Sequence, residues 1–294
     1  METRPLGTTG QESTICTFGA IALNWLEQEG ADQMVELVLD HGVNHFDVAP
    51  AYGDAERKLA PKLGQYREDI FLGCKTMERD YDGAREKLEQ SLERLDVETI
   101  DLYQIHGLEY EHELDEITDD EGALAAFRDA RDEGLIEHIG LTSHGNPELV
   151  RDAIDRIDDL ESLMFPLNPV VSGKDGSEYD YDAVLERAQA ADIGTLGIKA
   201  FAKGPWPPTD ELPADQRPYA NWYQPVDTQA EIDDRFDFAA SQGLSSVVSP
   251  GDPKLVKMVL DAADQFEPMA DPQQRSLIER SRHDESPVPE QLHH

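Results

Sequence analysis

Four residues of four ionisable types stand at or just beyond the ends of short apolar runs. Asp47 closes VNHFDV, and Tyr52 follows it in APAYGDAE. Lys75 comes at the end of FLGCKT, and His106 closes DLYQIH. A buried strand that finishes on a charged group points to a site at the strand ends rather than to a core. The four types together suit one chemistry. A carbonyl reduced by hydride leaves an oxyanion that needs a proton. A phenol, with an ordinary pKa of about 10, is a poor acid or base at neutral pH. A neighbouring ammonium lowers that pKa by favouring the phenolate. A buried lysine keeps its charge only beside a carboxylate, which Asp47 can supply. His106 can hydrogen-bond and orient the reacting oxygen. Tyr52 then acts as general acid in reduction and general base in oxidation.

The elements that must position these groups alternate along the chain. A small hairpin with a Thr-Gly turn is expected in TRPLGTTGQESTIC, and then a strand in CTFGAIAL. Helical runs such as ADQMVELVLDHG, AERKLAPKLG and DGAREKLEQSLERLD separate strands such as VNHFDV, DIFLGCKT and TIDLYQIH. Leu88, Leu92 and Leu95 make a helical stripe. Asn146 and Pro147 read as the cap and first turn of NPELVRDAIDRI. The second half continues with strands ESLMFPLN, GTLGIKAF and SSVVS, and a Pro-rich loop runs from about Ala202 to Thr228. About eight strand–helix alternations without a linker predict parallel strands joined by helical crossovers. In 294 residues they favour one closed (β/α)8 TIM barrel domain spanning 1–294, with an N-terminal β-hairpin. No GxGxxG follows the first strand, which argues against a Rossmann domain.

Composition narrows the function classes. Acidic residues number 62 against 25 basic, a net charge of -37. The acid recurs on helix after helix, as in DRIDDLES and AEIDDRFD, and only nine of the basic residues are lysine. Such a surface repels nucleic acid and anionic membranes and resembles that of proteins from salt-loving organisms. Cys16 and Cys74 make no disulfide framework and read as small buried hydrophobes. No signal peptide or long apolar run is read, so a cytoplasmic protein is expected. His293 and His294 receive no role.

Three segments carry a family resemblance. GVNHFDVAPAYGDAE, LERLDVETIDLYQIHGL and GLIEHIGLTSHGNPELV resemble motifs of the aldo-keto reductases. The resemblance implies a catalytic tetrad of Asp47, Tyr52, Lys75 and His106. It implies a nicotinamide cofactor held across the barrel mouth and a small carbonyl or alcohol substrate. TSHGNPELV with MFPLN is similar to a prokaryotic branch that often carries a carboxy-terminal iron–sulfur extension, whose cysteines are not found here. The places of the family's cofactor contacts fall near Gly19, Ala20, Thr142, Ser143, Met164, Lys199, Phe201, Ser249 and Gly251.

Several of those places depart from the family pattern. Met164 stands where an amide usually holds the nicotinamide, and Ile198 or Lys199 where many members carry an aromatic. Leu255 replaces a basic residue, and Met258-Val259 replace Glu-Asn. Lys254 and Lys257 are close enough to meet a 2′-phosphate instead, which favours NADP(H) over NAD(H). Ser249, Gly251 and the helix start at Pro253 remain a phosphate-binding end. Trp25, Trp206 and Trp222 either wall a substrate pocket or pack loops. His45 is read as structural, and His144 is left between the site's edge and a loop. Two rivals stay open. One is a non-catalytic nucleotide-binding subunit of the same fold, and the other a barrel lyase or isomerase using Lys75 as a Schiff base. Substrate, physiological direction and oligomeric state are not legible.

Overall fold

Residues 1–288 are described by the computed structural model, and His293 and His294 lie outside them. The chain opens with β1 (Thr3–Pro5) and β2 (Glu12–Thr14), paired antiparallel as the expected hairpin. Its turn carries Gly7, whose φ of 55° and close approach to the backbone of Gly194 exclude a side chain. Leu6 thereby packs with Met164, Leu196 and Val248 in an apolar cluster of its own.

The barrel follows. Strands β3 (Cys16–Gly19), β4 (His45–Asp47), β5 (Phe71–Thr76), β6 (Ile100–Leu108) and β7 (Ile136–Ser143) come first. Strands β8 (Ser162–Pro166) and β9 (Gly194–Ile198) continue it. The Pro-rich stretch adds a ribbon of β10 (Ala202–Gly204) and β11 (Gln224–Pro225), and β12 (Ser246–Val248) pairs with both β9 and β3. All barrel neighbours are parallel, in the closed order β12-β3-β4-β5-β6-β7-β8-β9. This is the (β/α)8 barrel expected from the alternation.

Helices wrap it. They are α1 (Gln28–Asp40), α2 (Ala55–Tyr66), α3 (Tyr81–Leu95), α4 (Glu111–Thr118), α5 (Ala123–Asp132) and α6 (Pro147–Arg156). After them come α7 (Tyr181–Ala190), α8 (Gln229–Ser241), α9 (Pro253–Asp264) and α10 (Asp271–Ser281). On α3 the buried positions Ala84, Leu88, Ser91 and Leu95 form the inward stripe, and Asp80 accepts a capping bond from the Gly83 amide. Asn146 caps α6 ahead of Pro147. None of the described helices is long and apolar enough to cross a membrane.

Two expectations need correction. The run CTFGAIAL is not one strand. It leaves β3 at Gly19, where a side chain would sit 2.7 Å from the Ser249 carbonyl oxygen, and becomes a 3-10 turn, Ala20–Trp25. A short apolar run does not distinguish a strand from a buried turn packed on α2. The second is α4, which forms in a stretch to which the sequence reading assigned no element of its own. It buries only Leu114 and Ile117, too few to show a period.

Candidate active site

The strand ends deliver the four ionisable groups to one place. Lys75, on the inward face of β5, is fully buried and donates to Asp47 Oδ2 at 2.5 Å. It also donates to Tyr52 Oη at 3.1 Å and to the Val48 carbonyl at 3.4 Å. Asp47 accepts a second bond from Gln104 Nε2 at 3.1 Å. The rings of Tyr52 and His106 meet edge to face, with centroids 5.8 Å apart. Because Lys75 donates to the phenol oxygen, the phenol's own hydrogen is free to turn toward the cleft.

Local structure explains why these groups hold still. Tyr52 ends a 3-10 turn, and Gly53 follows at a φ of 61°. Asn24 Oδ1 accepts from the Asp54 amide and so pins that turn. Past His106, the chain turns at Gly107, whose φ is 72° and whose amide donates to Thr142 Oγ1 at 2.8 Å. Arg79 donates to the carbonyls of His106 and Gly107 and pairs with Glu113, which fixes the same turn from the other side.

Burial sets the protonation states. It would discharge Lys75, but Asp47 and Tyr52 outweigh it and raise the lysine's pKa, so the ammonium persists. Burial also raises the Tyr52 phenol, by more than Lys75 pulls it down. That reverses the direction expected from the sequence: the phenol keeps its proton at neutral pH. His106 is driven down to about 3 by burial, Lys75 and Arg79, so its imidazole is neutral. His45 is likewise buried and neutral, with Nδ1 2.9 Å from Ser13 Oγ, and its place is structural.

An open cleft of about 780 Å³, solvent at its mouth included, lies over these groups. Its lining includes Gly19, Thr142, Met164, Ile198, Lys199, Ser249 and Gly251 among the expected residues. Other expected residues are placed elsewhere. Ala20 is buried beneath the rim, and Phe201 is fully enclosed in the core. Ser143 is spent on the backbone, donating to the Leu108 carbonyl and accepting from the Gly145 amide. Lys254 and Lys257 are exposed on α9, with Lys254 over the Tyr219 ring. Leu255 and Val259 turn inward on that helix. Trp25 is half exposed and away from the cleft, Trp206 donates to the Asn221 carbonyl, and Trp222 stands in the wall.

Homology to known proteins agrees with this geometry. The sequence profile of the aldo/keto reductase family matches residues 16–248. The chain belongs to the aldo/keto reductase family. It is 27% identical over 178 residues to YqkF, an uncharacterized oxidoreductase of Bacillus subtilis, covering 56% of each chain. It is 27% identical over 164 residues to an L-galactose dehydrogenase of Arabidopsis thaliana, covering 48% of each. The chain thus spans about half the length of these relatives. An aldo-keto reductase of Bacillus halodurans in its holo form shares the fold along the whole of both chains, at a TM-score of 0.72 and 20% identity.

Within this aldo/keto reductase, several cleft residues were not singled out by the sequence. Gln104 orients Asp47 from an inward position of β6, where a polar residue interrupting an apolar strand is the only signal. His144, left by the sequence between the site's edge and a loop, does line the cleft, with Nδ1 unpartnered among the described residues. Asn221 and Tyr223 come from the Pro-rich stretch, which has no periodicity to read. That stretch is tied over the end of β12. Asn221 Oδ1 accepts from the Gly251 amide, and Asp252 accepts from the Ala220 amide while capping α9.

Proposed function

We propose that this chain is an NAD(P)(H)-dependent oxidoreductase that interconverts a carbonyl and an alcohol, with Tyr52 as the proton donor and acceptor. The observation that carries the reading is the chain of contacts Asp47–Lys75–Tyr52, with His106 against the phenol, at the floor of one cleft. A nicotinamide group suits the residues present. The side-chain nitrogen of Asn221 is a buried donor beside Ser249 and Gly251 that no acceptor meets at full hydrogen-bond geometry among the described residues, and Met164, Ile198 and Val248 offer flat apolar wall. When bound, that cofactor supplies or accepts the hydride. His106 and Tyr52 hold the carbonyl oxygen, and Tyr52 delivers its proton as charge develops there. Lys75 steadies the phenolate left behind, and Asp47 with Gln104 keeps Lys75 charged and fixed. The same clamp argues against a Schiff base at Lys75, whose amine is held protonated. Nicotinamide-dependent turnover of a panel of aldehydes, ketones and alcohols tests the reading, and absence of turnover with every member would overturn it.

We read the cofactor as NADP(H) in preference to NAD(H), with Lys254 or Lys257 near the 2′-phosphate at the start of α9. Exposure leaves both ammonium groups free to move. Lys254→Ala with Lys257→Ala should weaken NADPH by about ten- to a hundredfold relative to NADH, the worth of a charge-assisted contact. An unchanged ratio in a fluorescence titration would make them surface residues only.

The acidic surface is read as a salt adaptation and the protein as cytoplasmic. A charge of -37 repels itself when unscreened. The Debye length is roughly 30 Å at about 0.01 M salt and roughly 3 Å at about 1 M. The melting temperature should rise steeply from dilute buffer into molar KCl, beyond the effect of a non-ionic osmolyte. A flat series would remove the halophile reading and leave the active-site reading intact.

A further inference from the structure

The cleft is cationic in an acidic protein. Among the described residues its lining contains one carboxylate, Asp47, which Lys75 neutralises, and a second lysine, Lys199. With His106 and His144 neutral, the lining carries one net positive charge, against -37 for the chain.

Lys199 is also conspicuously held and poorly matched. Its φ of 56° puts a long side chain in the left-handed region, a strained choice for a residue other than glycine. The strain is fixed by the Asn168 side chain and the Ala202 amide, which both donate to its carbonyl. Among the described residues its ammonium makes a single long hydrogen bond, 3.4 Å, to the Pro287 carbonyl. Among the described residues no carboxylate comes within ion-pair distance of it. A partly buried ammonium with three donors and one weak acceptor is a site waiting for an anion.

Direction separates two candidate anions. The field at Lys199 comes from Glu109, just beyond β6, and reciprocally that of Lys199 reaches His144, just beyond β7. Lys199 itself follows β9, whose neighbour β12 leads to Ser249–Gly251, but the groups it interacts with stand at the ends of β6 and β7, and β6 lies across the barrel from β12. His144, with an unpartnered ring nitrogen, stands beside it in the same lining.

We propose that Lys199 and His144 bind a carboxylate on the substrate, so that this enzyme acts on oxo acids. The aldehyde or ketone would lie at Tyr52 and His106, and the carboxylate at the end of β9. The inference rests on the carbonyl-reducing reading and names its substrate class. Burial pulls Lys199 down to about 8 against the opposing charge of Glu109. Glu109 is itself raised by burial and by Glu113, with Lys199 and then Arg79 opposing. The cation is therefore present at neutral pH and fades above about pH 8.

The test compares succinic semialdehyde and para-carboxybenzaldehyde with their methyl esters, which match in shape and lack the charge. The acids should be preferred by about ten- to a hundredfold in kcat/KM, mainly through KM. Lys199→Met should bring the acid-to-ester ratio close to one, Lys199→Arg should restore part of it, and the wild-type ratio should fall above about pH 8. A wild-type ratio near one, or a ratio that survives Lys199→Met, overturns the inference. So does a Lys199→Met lesion confined to the KM for NADPH, which would assign this lysine to the cofactor. Calorimetric binding of benzoate gives a readout free of turnover. Benzoate binding lost in Lys199→Met, in a protein that reduces no carbonyl, would keep the carboxylate site and sink the oxidoreductase reading. No benzoate binding and no acid preference would sink the inference.

Discussion

Tyr52→Phe should lower kcat by about a hundredfold or more, with binding of the nicotinamide cofactor retained. The substitution keeps the ring that meets His106 edge to face and removes only the hydroxyl that accepts from Lys75. The loss should fall on kcat more than on KM, because the proton is needed as the oxyanion forms. In the wild type, burial holds the Tyr52 pKa above its ordinary value, so reduction should keep its rate into alkaline pH. Steady-state kinetics with a fluorescence titration of cofactor measures all three. Near-normal turnover in the variant would remove Tyr52 from the chemistry.

Lys75→Met should damage both activity and fold. It leaves Asp47 buried with only Gln104 for company, and breaking a buried ion pair in this way typically costs about 3–5 kcal/mol. The penalty has a sign in pH. An unpaired buried carboxyl has a folded pKa above its unfolded value, so the native state binds the extra proton. The deficit relative to wild type should therefore be small in acid, where Asp47 is protonated in both states. Burial already raises Asp47 in the wild type, so the deficit should grow as pH rises past that raised value and level off above the still higher folded pKa of the variant. Chemical denaturation at several pH values checks this, and a deficit that shrinks with rising pH would contradict it. Lys75→Met with Asp47→Asn removes both charges and should recover much of the stability without recovering turnover.

The legible and illegible parts of this protein divide along physical lines. Strand ends could be read because Asp47, Lys75 and His106 each end an apolar run that has no other reason to carry a charge. The Tyr52 phenol was placed correctly at the rim, but its pKa direction was not, since burial outweighs the lysine beside it. Thr142 was expected as a cofactor contact. In the fold it lines the cleft and also accepts from the Gly107 amide, a link between two strand ends invisible in one dimension. Ser143 alternates to the other side and is consumed by backbone. Asn221 and Tyr223 reach the cleft only because a stretch without periodicity folds back over β12. Lys199 was expected at a cofactor contact, whereas its left-handed backbone and thin hydrogen bonding belong to the fold alone.

The central claim is hydride transfer to a carbonyl in the Tyr52 cleft. Its most direct measurement uses NADPH and NADH deuterated at both positions of the reactive nicotinamide carbon, with the oxo acids and esters above. The products are read by mass spectrometry. The wild type should place one deuterium on the carbinol carbon of the alcohol, and Tyr52→Phe should give little labelled product in the same time. Alcohol formed without deuterium, or no alcohol from any carbonyl with either cofactor, would contradict the account.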